Sequence, residues 1–151
     1  MKKVLRVFAL FVAVFAMASL TSCKKDNADL IIGKWQFDKA TITVTADDPT
    51  YQEFLDAFFG DFNEEMNEEM KGATLEFKSD NTLIATSIDS ETHETETDTY
   101  SYTVEGDKLS FDGEVMTITT LTKKSLVLEM SDTFDEDGIS GKVVEILEFK
   151  R

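Results

Sequence analysis

Over most of the stretch from Gly33 to Lys150 apolar residues recur at every second position, a pattern that buries one side of a chain only when the chain is extended. Trp35, Phe37, Ala40, Ile42 and Val44 mark a first strand whose parity slips near Asp38 and Lys39, which predicts a bulge there. Seven further strands are expected over Thr74–Lys78, Thr82–Ile88, Thr99–Glu105, Lys108–Asp112, Val115–Leu121, Ser125–Ser131 and Lys142–Lys150. Residues 79–81, 105–107, 112–114 and 135–141 carry the Asn, Asp and Gly chemistry of tight turns, so neighbours in sequence pair antiparallel. The pattern predicts an all-β fold, an eight-stranded antiparallel up-and-down barrel, because closure removes exposed edges.

One interruption has a different period. Tyr51, Phe54, Leu55, Phe58, Phe62, Met66 and Met70 recur at spacings of three and four, while Glu53, Asp56, Asp61, Glu64, Glu65, Glu68 and Glu69 occupy the remaining positions. That arrangement predicts an amphipathic helix over residues 50–71, inserted between strands 1 and 2. Its start is marked either by Asp48 before Pro49 or by the capping box of Thr50 and Glu53, and Gly60 is a candidate break.

The N-terminal segment reads as an export signal. Lys2, Lys3 and Arg6 precede an apolar run from Val7 to Met17 that is too short for a stable bilayer span. The residues Leu20-Thr21-Ser22-Cys23 then resemble the lipobox of bacterial lipoproteins. That resemblance implies removal of residues 1–22 and lipidation of Cys23, with more than one acyl chain, palmitate among them, holding the protein to a membrane. Cys23 is the sole cysteine, so no intramolecular disulfide competes for it. Residues 23–29 form the lipidated cysteine and a polar tether, and 30–151 form the barrel domain. The tether is similar to charged stretches that direct some lipoproteins to the cell surface. The expected address is a cell-envelope membrane, the outer one by preference, with the periplasmic or surface face open.

Removing residues 1–22 takes away three basic side chains and no acidic one, so the net charge moves from −15 to −18. Such a chain repels phosphate backbones and anionic lipid headgroups, which argues against nucleic acid as a partner.

The residues Gly33-Lys34-Trp35 are similar to the Gly-x-Trp motif that opens the first strand of lipocalins, and they head a strand meander with an insertion before strand 2. Segments 75–82, 102–109 and 118–128 resemble the strand pairs of the small lipocalin-like domains of bacterial lipoproteins. The resemblance implies that Trp35 packs across the closed end of the barrel. The barrel-bottom arginine that many lipocalins supply from the last strand has a counterpart only in Arg151.

An eight-stranded barrel has room for one small ligand or for its own side chains. Phe37, Phe77, Leu83, Tyr100, Tyr102, Leu109, Phe111, Met116, Ile118, Leu126, Leu128, Ile146 and Phe149 are the expected inward residues. Phe54, Phe58, Phe62, Met66, Tyr100 and Tyr102 are the candidates for a ligand pocket or its lid. Two functions follow from the same residues. One is a binding module for a small apolar or amphipathic ligand; the other is a packed barrel that docks an unidentified protein partner through its helix or acidic surface.

No catalytic constellation stands out, and no cofactor or metal is expected. The single histidine, His93, lies in the polar run Asp89–Asp98, which reads as a solvated hairpin loop. Asp132, Asp135 and Asp137 before Gly138 have a superficial likeness to a calcium loop, but the residue twelve along from Thr133 is Val144 where such a loop needs Glu.

Overall fold

The computed structural model describes residues 27–90, 92–136 and 139–151; the signal segment, Cys23 and the first tether residues lie outside these. The order is α1 (Asn27–Ile31), β1 (Gly33–Ala46), α2 (Pro49–Glu69), β2 (Thr74–Phe77), β3 (Thr82–Ile88), β4 (Thr95–Glu105), β5 (Lys108–Phe111), β6 (Glu114–Leu121), β7 (Ser125–Glu136) and β8 (Ile139–Lys150). The eight strands pair in sequence order, all antiparallel, and β8 returns to β1 to close the barrel. The eight-stranded up-and-down barrel with a helix between strands 1 and 2 is therefore as the alternation predicts.

The predicted bulge lies between Phe37 and Lys39, where the β1–β8 register shifts. It keeps Phe37 and Ala40 on the inner face despite their odd spacing, and both are buried. A second shift between Ile118 and Thr120 does the same on β6. Three strand boundaries between β2 and β8 differ from the sequence expectation by more than one residue. β4 begins at Thr95, inside the run read as a loop, and the β7–β8 hairpin extends through Glu136 and Ile139. Polar strand ends pair as well as apolar ones when a neighbour supplies the ladder, and the hydrophobic pattern cannot register that. Residues 27–31, expected to be tether up to residue 29, form the short helix α1.

The closed end is built around Trp35, which is fully enclosed. Its indole N–H donates to the Ile31 carbonyl at 2.7 Å, so α1 is tied down by the plug it covers. The Arg151 guanidinium lies 3.7 Å from the Trp35 ring centroid, and its Nη2 donates to the Ile31 carbonyl at 3.1 Å. Arg151 thus supplies the barrel-bottom arginine. Gly33 explains how it fits: its φ is +121° and a Cβ there would stand 3.0 Å from Arg151 Nη2.

The helix α2 is a single uninterrupted element, started by Asp48, whose side chain accepts the Thr50 N–H at 2.9 Å, with Pro49 following. Its place in the wall is decided by the shortness of β2. With only four residues, β2 pairs Gly33 to Gln36 and leaves the rest of that β1 edge without a strand. Side-chain amides of α2 take over. Asn67 bonds both the N–H and the carbonyl of Ala40 at 2.8 Å, and Asn63 bonds those of Ile42 at 2.6 and 2.8 Å. Gln52 links the Val44 carbonyl to the Ala46 N–H, each at 2.9 Å. Four helical residues rise about 6 Å and two strand residues about 6.8 Å, so asparagines four apart meet backbone groups two apart.

Candidate functional site

The site is the inside of the barrel at the end away from Trp35. Register identifies the inward side chains, because residues directly opposite in paired strands share a face. The deep layers are dry: Trp35, Phe77, Leu83, Leu109 and Leu126 have no exposed surface, and Met116, Leu128 and Leu147 have almost none. Leu147 stands opposite Ala40 and Leu128, both buried, so the inner face of β8 carries Leu147, and Ile146, expected inside, lies on the outer face.

Above this floor the inward residues regain contact with water. Tyr100 is opposite buried Leu83, Phe111 opposite buried Tyr102, and Val143 opposite buried Val44; Phe134 shares a row with Gly141 and Ala46. All four are only partly buried. An inward side chain of a closed barrel meets solvent only through an end; Val104 and Leu121 do so at the end that Trp35 and Arg151 plug, and these four do so at the opposite end, the mouth. Gly141 shapes it, since a Cβ there would lie 2.8 Å from the Phe134 ring and 2.3 Å from the Thr45 carbonyl oxygen.

Of the candidates read from the sequence, Tyr100 and Tyr102 face the interior at different depths. Tyr102 is 4% exposed, its hydroxyl donates to the Lys78 carbonyl at 2.8 Å, and its ring meets Phe77 edge-on at 5.0 Å. It belongs to the floor. Tyr100 is higher and tilts against Phe111 at 6.1 Å. Burial pushes its hydroxyl pKa up, and Asp98 and Asp112 add to the shift. The apolar stripe of α2 divides: Leu55, Phe59, Phe62, Met66 and Met70 pack against the core, whereas Tyr51, Phe54 and Phe58 face solvent. Phe54 and Phe58 stack on each other at 6.3 Å, with 69% and 56% of their surface exposed. The helix completes the wall beside β1 instead of crossing the mouth as a lid. His93 sits exposed in the β3–β4 turn at φ 58°, and Asp137 and Gly138 of the acidic turn lie outside the described residues.

The sequence reading missed the residue that gives the interior its chemistry. Glu145 stands opposite Ile42 on β1 and Met130 on β7, one step above Leu147, and is 8% exposed. Burial first, and the nearby Glu114 carboxylate second, raise its pKa to about 7. Glu114 faces the same lumen, being opposite Phe111, and its own pKa is raised by burial and by Asp112. The signal for Glu145 was present as an acid at an apolar parity in Val143-Val144-Glu145-Ile146-Leu147. It was hidden because Val144 and Ile146 make the opposite face equally apolar.

The closed meander, the Trp35 plug with its arginine and the mouth opposite have a counterpart among known families: residues 31–128 match the lipocalin-like domain. The chain belongs to that family. The lipocalin-like domain also resembles solved structures of bovine odorant-binding protein. One, in complex with a selenium-containing odorant, shares 16% identity over 88% of this chain and 77% of that one, with a TM-score of 0.45. Another, in complex with its natural ligand, shares 14% identity over 87% and 77%, with a TM-score of 0.42. No curated protein matches the chain.

Proposed function

We propose that this lipocalin-like domain is an exported lipoprotein, anchored through Cys23, whose barrel binds a small apolar or amphipathic ligand at the mouth opposite Trp35. The observation that carries the binding reading is the graded interior, dry at Trp35 and solvent-reached at Tyr100, Phe111, Phe134 and Val143. A plug at one end and water-reached aromatics at the other leave one side for a ligand to enter. For the anchor, the support is the lipobox-like Leu20-Thr21-Ser22-Cys23 and its preceding apolar run. Under this reading the tether joins α1 at the plugged end, so the mouth opens away from the bilayer.

Two measurements test the two halves. Cys23→Ala is expected to move the protein from the membrane fraction to the soluble fraction while leaving its circular dichroism unchanged; retention on membranes after a salt wash contradicts the anchor. Native mass spectrometry of the mature chain mixed with lipid extract is expected to show a one-to-one small-molecule adduct. Absence of any adduct, with no uptake of a hydrophobic dye, contradicts the pocket.

A further inference from the structure

Glu145 is an expensive residue where it stands. A carboxylate among Ile42, Met130 and Leu147 loses its hydration, and among the described residues no side chain or backbone group bonds it in return. Every described lysine is exposed, and Arg151 is committed to Trp35 at the opposite end. No fully enclosed side-chain oxygen or nitrogen among the described residues lacks a partner. Having no partner, the Glu145 oxygens must therefore keep their remaining contact with the lumen and point into it. A neutral isostere would fill the same space at less cost to folding, and such local violations concentrate at functional positions.

The surroundings define what would satisfy it. Glu114 lies two strands along the wall on β6, and the register puts Asp132 opposite Val143 one step nearer the mouth, so among the described residues the charged groups turned toward this space are acidic. Phe111 stands opposite Glu114, Tyr100 tilts against Phe111 at 6.1 Å, and Phe134 shares a row with Gly141. A negative lumen with aromatic walls disfavours carboxylate-headed lipids and favours a cation, by counter-charge and by cation–π attraction. We propose that the ligand is an amphipathic amine, an apolar body carrying one cationic nitrogen, with Glu145 as the counter-charge for that nitrogen.

This inference rests on the ligand-binding reading, and the experiment separates their failures. Octylamine, octanol and octanoate, which share one apolar chain, are titrated calorimetrically into the mature chain carrying Cys23→Ser at about pH 8, where the amine is charged. Octylamine is expected to bind at least about tenfold more tightly than octanol, and octanoate more weakly than either. Glu145→Gln should bring octylamine to within about twofold of octanol while octanol affinity holds. Glu148→Gln, on the outer face of the same strand, should leave the preference intact. Equal affinity of amine and alcohol in the parent chain overturns the inference and leaves the binding reading standing, as does a preference that survives Glu145→Gln. If none of the three ligands binds, the binding reading itself fails and the inference with it.

Discussion

Trp35 and Glu145 are both enclosed, and they show opposite uses of a buried position. Trp35 satisfies its one polar atom on Ile31 and gives its ring to the core and to Arg151. Trp35→Ala should cost about 3 to 5 kcal/mol in urea unfolding, and a loss under about 1 kcal/mol would show that the plug does not hold the barrel. Glu145 destabilises the fold when ionised. Its pKa is raised from 4.5 to about 7 on folding, so the native state holds the proton longer than the unfolded chain does. The stability linked to that proton is complete below about pH 4.5 and is lost as pH rises toward 7, by roughly 3 kcal/mol in total. The difference in unfolding free energy between Glu145→Gln and the parent chain should therefore grow over that interval; a difference independent of pH would contradict the burial argument. Trp35 was legible because Gly-x-Trp heads a strand. Glu145 was not, because alternation assigns an acid to the outside by default.

The helix α2 shows how an element can be recognised while its role stays hidden. Spacings of three and four gave its extent to within two residues, but Phe58 and Phe59 belong to overlapping stripes, and only packing decides that Phe59 turns inward. Asn63 and Asn67 read as ordinary polar residues because their function depends on β2 being too short to cover β1, a property of another element. Replacing either with leucine leaves a backbone N–H and carbonyl of β1 unsatisfied beside the core. Each change should cost about 1 to 3 kcal/mol in chemical denaturation, and faster amide exchange at Ala40 or Ile42 should accompany it. Unchanged exchange in Asn67→Leu would mean that the amide ladder does not protect that edge.

For the molecule as a whole, the barrel's two ends are built differently. Trp35, α1 and Arg151 seal one end, and the mouth gathers the aromatics with Glu145 and Glu114. The eight-strand topology was legible because alternation and turn chemistry agree along the whole chain. The distinction between a packed barrel and an open one was not, since inward apolar residues serve both. What bears on it is depth, a three-dimensional quantity that separates Tyr102 from Tyr100 although both face inward. The most direct measurement is side-chain NMR of the mature chain titrated with octanol. Shifts at Val143, Tyr100 and Phe111, with Phe54 and Phe58 unmoved, are the predicted result; shifts confined to the exposed helix aromatics would contradict a ligand site inside the barrel.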